Sequence, residues 1–369
     1  LGSPHIKSNS KTQVIAAGNY YELFCAMPIA SVQNHKDRRS PRLLELTWQD
    51  LLAVSVTTAE ALFRHLNIDR RQTKAVIRRY PMRINPYYLS LIGNRGGPLW
   101  RQAVPDIREI QNDPFSEDPQ QEAGHSPVPH LVHRYPDRAL FIVSNRCALH
   151  CRHCFRKRLV GKPGIVSPET IDQGLDYIRS TPAVREVILS GGDPLLLEDH
   201  QLDDLLQRLR DIRHVEVLRI HSRVPYTLPQ RITPALVALL KRFHPLYFNT
   251  QFNHPDEITP QATAACALLA DAGIPLGCQT VLLKGINDSA ETMQNQLRAL
   301  LKIRVKPYYL HHADPVKGTA HLRTTVACGL AIMQAVRSRV SGMAIPRYVI
   351  DLPGGGKIPV LPTGYQGYE

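Results

Sequence analysis

From Ala139 onward, short apolar runs rich in β-branched residues recur at 139–144, 186–190, 215–221, 246–252, 276–282 and 305–310, with helical segments between them. This rhythm constrains the fold more than any other feature, because strands alternating with helices of ten or more residues pair in parallel through right-handed crossovers. The helix starts are marked. Ser167-Pro168, Thr233-Pro234 and Thr259-Pro260 each put a hydroxyl at the N-cap and proline at the first helical position. Gly273 suits the residue just past a helix end. Two architectures satisfy the pattern, an open doubly wound sheet or a partial barrel.

In a barrel, functional groups collect beyond the carboxyl ends of the strands. A cluster of cysteines follows the first run, Ser190-Gly-Gly-Asp193 the second, Ser222-Arg223 the third, Asn253-His254 the fourth, Lys284 the fifth and His311-His-Ala-Asp314 the sixth. All six loops then open on one face.

Upstream, 11–110 reads as mostly helical, for example from Trp48 to Leu66, and 111–132 is a connector rich in Pro, Asp, Glu and His without periodicity. Residues 1–10 are expected to be a disordered cloning remnant, since they lack the apolar stretch of a signal peptide. No apolar run reaches the length of a membrane span, so a soluble cytoplasmic protein is expected. A chain of 369 residues suffices for one large barrel or two ordinary domains.

The formal charge of +13 comes from scattered Lys and Arg without a long basic block, which suits anionic cofactors better than nucleic acid. Seven cysteines are an odd number; three crowd together and Cys25, Cys266, Cys278 and Cys328 are dispersed. That excludes a disulfide framework and fits a reducing compartment.

In Cys147-Ala-Leu-His-Cys151-Arg-His-Cys154 the spacing lets three thiolates converge from one loop on an iron-sulfur cluster. Three ligands leave one iron of a 4Fe-4S cluster open to a small molecule, unlike the four cysteines of an electron-transfer centre. A zinc site with His150 or His153 as fourth ligand is the alternative. The glycines of Ser190-Gly191-Gly192-Asp193-Pro194 let the backbone approach a ligand, with Asp193 able to accept from an ammonium group, although a plain turn explains them equally well. Asp351-Leu-Pro-Gly354-Gly355-Gly356-Lys357 lacks the spacing of a phosphate loop. Its glycines suit backbone wrapped around a planar cofactor while the lysine forms a Schiff base; a flexible loop with a solvated lysine is the alternative.

At these residues the chain resembles the lysine 2,3-aminomutase family of radical S-adenosylmethionine (SAM), pyridoxal-phosphate (PLP) enzymes. The likeness runs from Ile84-Asn-Pro-Tyr-Tyr-Leu-Ser90 through His133-Arg134-Tyr-Pro-Asp-Arg138, Cys151-Arg-His-Cys154-Phe-Arg156, Ser190-Gly-Gly-Asp-Pro194 and Asn249-Thr-Gln-Phe-Asn-His254 to Pro353-Gly-Gly-Gly-Lys357. It implies a partial (β/α)6 TIM-type radical SAM barrel over 133–345, preceded by a mostly helical region and connector over 11–132 and followed by a PLP-lysine segment over 346–369.

The resemblance further implies that Cys147, Cys151 and Cys154 hold the cluster and that Gly191, Gly192, Asp193 and Gln279 line the SAM site. Lys357 matches the lysine that carries PLP, with Arg134 and Arg138 as basic residues near the cofactor. Arg156 matches the arginine that takes the amino acid's carboxylate, and Asp314 and Asp351 the two acids that receive the distal ammonium of lysine. The implied reaction moves the α-amino group of L-lysine to the β-carbon, giving β-lysine, with most of the difficult chemistry supplied by the cofactors.

Three departures from the family pattern stand out. The glycine run before Lys357 is one residue short, Gln251 stands where histidine is expected, and Ser289 stands where longer members place a zinc-binding cysteine, so no structural zinc is expected. Implied partners are the amino acid substrate, a reductant such as flavodoxin or ferredoxin, and further copies of the chain in a homo-oligomer. Alternative readings are a relative making β-lysine for elongation factor P or acting on another basic amino acid, and, from a different class, an iron-sulfur scaffold or RNA-binding protein in which Lys357 is free.

Overall fold

The computed structural model describes residues 46–111, 113–162 and 166–361. The expectations for 1–10, for helix over 11–45, for Cys25 and for 362–369 lie outside these residues.

Among the described residues, five short helices precede the sheet: α1 (Trp48–Ala53), α2 (Ala59–Phe63), α3 (Arg70–Arg79), α4 (Pro86–Leu91) and α5 (Pro98–Ala103). Polar side chains stop the first four at their N-termini. Thr47, Thr58, Asp69 and Asn85 each accept from the backbone N–H three residues on, each such cap being worth about 1 kcal/mol. The helices are not a separate layer, since Leu51, Leu62, Ile84 and Tyr88 share one apolar core with Phe141, Val187 and Leu189 of the sheet. The Asn85 amide also donates to the carbonyls of Ala148 at 3.0 Å and Thr227 at 2.8 Å, which fastens α4 to the cysteine loop.

The sheet has nine strands in chain order: β1 (Leu131–Tyr135), β2 (Arg138–Ser144), β3 (Glu186–Gly191), β4 (Val217–His221), β5 (Leu246–Thr250), β6 (Leu276–Leu282), β7 (Lys306–His312), β8 (Arg347–Asp351) and β9 (Lys357–Pro359). Strands β2 to β8 are parallel, while β1 and β9 are antiparallel to their neighbours. The order never reverses. A doubly wound sheet requires such a reversal, so the choice left open by the strand rhythm falls to the partial barrel. The six expected strands form, and β8 is a seventh parallel strand inside the segment read from sequence as the carrier of Lys357.

The crossover helices are α6 (Pro168–Ser180), α7 (Asp199–Arg210), α9 (Pro234–Lys241), α10 (Pro260–Asp271), α11 (Ala290–Lys302) and α12 (Val326–Arg337), with a single turn, α8 (Val224–Thr227), after β4. Ser167, Thr233 and Thr259 cap them as expected, each followed by proline. Gly273 follows α10 with φ +77°. Along β6, Leu276, Cys278, Thr280 and Leu282 are buried while Gln279 and Val281 face a cavity at the carboxyl ends of the strands. Strand alternation therefore presents Gln279 to that cavity.

Candidate active site

The cavity occupies about 730 Å³ and is lined from every strand of the sheet except β9's outer residues, with Lys357 as β9's contribution. On one wall stands the loop after β2. Backbone bonds from His150 N to the Arg83 carbonyl (3.0 Å) and from Arg152 N to the Gln102 carbonyl (2.8 Å) pin it to the helical region. The Arg152 guanidinium is buried against Glu109, donating through Nε at 2.9 Å and Nη2 at 2.5 Å, and Lys157 Nζ reaches the same carboxylate at 2.7 Å. These two cations bracket Cys154 in sequence, so one buried acid holds both flanks of the thiol.

Cys147, Cys151 and Cys154 all line the cavity as free thiols. Burial pushes each thiol up, Cys154 to about 11, and the Arg223 guanidinium in contact with Cys151 Sγ opposes this by favouring the thiolate. Among the described residues, no three His, Cys, Asp or Glu side chains converge on a single ion. His153, a candidate fourth ligand in the zinc alternative, is held by amide groups, with Nε2 facing Asn253 Nδ2 at 3.2 Å and Gln251 Nε2 at 3.3 Å. A four-iron cluster takes one thiolate per iron, so it needs sulfurs spread around it rather than focused on one point. Three free thiols on one wall with a cation at hand fit that demand.

Gly191 and Gly192 are required by close approach of chain to chain. A Cβ on Gly191 would lie 2.0 Å from the Ser144 carbonyl oxygen, and one on Gly192 would lie 2.4 Å from that of Arg146. The glycines thus seat this loop on the root of the cysteine loop, while both still line the cavity. Asp193 is similarly engaged: its carboxylate accepts from Ser222 Oγ at 2.8 Å, Arg223 N at 2.9 Å and Leu195 N at 3.1 Å. Burial pushes it up to about 6 against those bonds. It orients the Ser222-Arg223 turn, and through it the cation beside Cys151. Gln279 contacts the Tyr308 hydroxyl.

The opposite wall carries Lys357. The glycine turn Gly354–Gly356 has positive φ at all three residues and returns the chain as β9, so that Lys357 pairs with Asp351 across the hairpin. Lys357 Nζ lies 2.5 Å from Asp351 Oδ1, and His311 Nδ1 lies 2.9 Å from Oδ2. Burial would raise the Asp351 carboxyl, but those two partners hold it at about 2. Among the described residues no cation is hydrogen-bonded to Asp314, and burial and the neighbouring Asp351 push it up to about 6 against the more distant charges of Lys357 and Arg323. Arg134 donates to the Leu352 carbonyl and, at 2.7 Å, to Gln120 Oε1, leaving its buried Nε without a partner. Arg138 lies over the Tyr135 ring at 3.9 Å and pairs with Asp137. A lysine amine, an unsatisfied arginine N–H and an aromatic face on one wall fit a planar phosphorylated cofactor.

Arg156 lies in the cavity wall, but its guanidinium is already bound. Nε and Nη2 fork onto Glu122 at 2.9 and 2.6 Å, and Nη1 donates to Ser190 Oγ at 3.1 Å and the Gly191 carbonyl at 3.3 Å. The cluster, cofactor and substrate residues named from sequence all line this one cavity. Asn253 and His254, named with the fourth loop, and the exposed Lys284, named with the fifth, do not. Sequence reasoning missed Glu109, Gln120 and Glu122 and gave no role to Arg223 or His311. The available signal was an unmet charge: buried arginines in the cysteine loop demand acids, and Glu109 at the end of the helical region and Glu122 in the connector supply them.

Residues 141–297 match the model of the Radical SAM superfamily. Fold, thiol triad and match together define the chain as a radical SAM protein. It is 47% identical to the "L-lysine 2,3-aminomutase" of Fusobacterium nucleatum over 324 residues, which are 86% of this chain and 76% of that protein. It is 42% identical to the "Glutamate 2,3-aminomutase" of Clostridioides difficile, covering 85% and 76% of the two chains, and 36% identical to the "L-lysine 2,3-aminomutase" of Escherichia coli, covering 83% and 92%. The chain belongs to the lysine 2,3-aminomutase family. Among the described residues, no helix is long and apolar enough to cross a membrane.

Proposed function

We propose that this chain moves the α-amino group of L-lysine to the β-carbon, forming β-lysine, with a 4Fe-4S cluster, SAM and PLP as cofactors. The observation that carries the reading is that one cavity holds three free thiols, a lysine set in a hairpin, and two carboxylates, Asp314 and Asp351, beside that lysine. Relatives that bear the name of this activity support it.

In this reading Cys147, Cys151 and Cys154 hold the cluster, with Arg223 offsetting thiolate charge at Cys151. The SAM site is built on Gly191, Gly192, Asp193 and Gln279, the middle of the cavity between the two walls. When bound, the cluster and SAM supply reversible hydrogen-atom removal, and PLP activates the amino group for migration. Lys357 holds PLP through Nζ, and Arg134 and Arg138 receive its phosphate. Arg156, fixed by Glu122 and Ser190 in the cavity wall, receives the substrate carboxylate. Asp314 and Asp351 receive the distal ammonium, and the same pair repels a substrate with a distal carboxylate, which separates lysine from glutamate. The packed walls keep water from the reacting atoms. The reading includes a one-electron donor of flavodoxin or ferredoxin type, a cytoplasmic setting and self-association.

The test is anaerobic reconstitution with iron, sulfide, SAM, PLP and a reductant, followed by chromatography of the products from lysine. Formation of β-lysine is expected. Lysine recovered unchanged from protein carrying both cluster and PLP overturns the reading.

A further inference from the structure

The stretch read from sequence as a connector places one buried amide where two functions meet. Gln120 is 8% exposed and touches two charged groups from separate parts of the sheet, Arg134 on the edge strand β1 and Asp314 just past β7. Its Oε1 accepts from Arg134 Nη1 at 2.7 Å, and its Nε2 donates to Asp314 Oδ1 at 2.7 Å. Chemistry dictates this orientation. A guanidinium has only donors, so the amide must turn its oxygen to Arg134. Its NH2 then faces Asp314, which must accept at Oδ1.

From this geometry we infer that Gln120 is a specificity-positioning residue, which keeps Asp314 an acceptor and so keeps the cavity selective for a cationic side chain. The inference rests on the proposed lysine reading. Asp351 is already held as a carboxylate by Lys357 and His311. Among the described residues Asp314 has no comparable cation in hydrogen-bond contact, and burial beside Asp351 favours its protonated form. The amide donor opposes that tendency. Two ionised carboxylates side by side in a buried site create a demand for a cation, and an ammonium group meets it. A neutral acid at 314 would instead accept an uncharged chain end.

The carboxamide does this without adding charge of its own, which makes the test specific. Gln120→Glu keeps the length and the partner at Arg134 but sets a second oxygen against Asp314 Oδ1, so a proton must lie between them. Gln120→Met also keeps the length and removes both polar atoms. Each chain is loaded with PLP, judged by its absorbance, and titrated by calorimetry with lysine and with norleucine, which has the same four-carbon side chain without the ammonium group, in the absence of SAM so that no turnover occurs. Steady-state kinetics with SAM follow.

Gln120→Glu is expected to weaken lysine binding tenfold or more, to leave norleucine binding within twofold, and to raise KM for lysine with kcat within about threefold. Gln120→Met is expected to narrow the preference for lysine over norleucine at least threefold, and it decides the matter if the glutamate variant does not load PLP. A wild-type preference for lysine that both loaded variants retain within twofold overturns the role of Gln120 and leaves the lysine reading intact. A wild-type chain that binds lysine no better than norleucine overturns the lysine reading itself, and the inference with it.

Discussion

Replacing Glu109 by glutamine is the sharpest probe of how the cysteine loop is held. The native carboxylate is 1% exposed and compensates two buried cations, Arg152 and Lys157. Removing one partner of a buried ion pair typically costs about 3–5 kcal/mol, because the remaining charge is left without compensation. Lys157 limits its own share. Burial lowers its pKa to about 8 from 10.5 despite Glu109, so protonation costs stability at neutral pH and the cost is relieved as pH rises through 8 toward 10.5. Losing Glu109 lowers the folded-state pKa further. The lysine then sheds its proton, and the proton-linked penalty at pH 7 cannot exceed about 1.4 kcal/mol, one pKa unit at 1.36 kcal/mol. At pH 9 the native lysine is already mostly neutral and this share vanishes. The arginine share persists at both values.

With an unfolding entropy of about 2.1 cal/mol/K per residue, a chain of 369 residues loses roughly 1 °C in Tm for each 0.8 kcal/mol. Glu109→Gln is therefore expected to lower Tm by about 4–6 °C at pH 7, and by about 2 °C less at pH 9, each relative to wild type at the same pH. Differential scanning calorimetry reads both. Iron content after reconstitution should fall in parallel, because the two released cations flank Cys154. A Tm within 1 °C of wild type at pH 7, or an equal loss at both pH values, refutes the reasoning.

Lys357→Ala is expected to abolish the PLP absorbance that borohydride fixes while leaving iron content within a fifth of wild type, measured on the same sample. Asp351→Asn removes a charge that faces Lys357 and, in the loaded protein, the substrate ammonium; KM for lysine should rise at least tenfold, on the order of the 1.5–3 kcal/mol of a charged hydrogen bond. The Asp314 carboxyl sits at about 6, above its ordinary 3.8, so ionising it costs stability, of order 3 kcal/mol, that is lost as pH rises through 6. Asp314→Asn should accordingly raise Tm by about 3–4 °C at pH 8 and leave it unchanged at pH 4, while lysine binding to the wild-type chain weakens as pH falls below 6.

The barrel strands were legible because each of β2 to β7 falls in a short run rich in apolar, aromatic or β-branched residues that is followed by a loop with polar residues. Strand β8 was not, since its five residues run directly into the glycine turn and read as one irregular tail. The thiol triad and Lys357 were legible from spacing and from family likeness. The wall formed by Glu109, Gln120 and Glu122 was hidden for a different reason. Each acts through a partner distant in sequence, Arg152, Asp314 and Arg156 respectively, and no local periodicity encodes such pairings. Gly191 and Gly192 were named for backbone approach to a ligand; what was not legible is that their small size also serves the approach of the Ser144–Arg146 backbone.

The Arg134 contact with the Leu352 carbonyl joins the two ends of the sheet, β1 on one side and the β8–β9 turn on the other. No backbone ladder closes that gap among the described residues. The residues proposed to grip PLP come from both lips of it, Arg134 from the first strand and Lys357 from the last. A cofactor seated there acts as a clasp across an open seam, so the chain should resist heat and proteolysis at its termini of the sheet far better loaded than empty, by RT ln(1 + [PLP]/Kd).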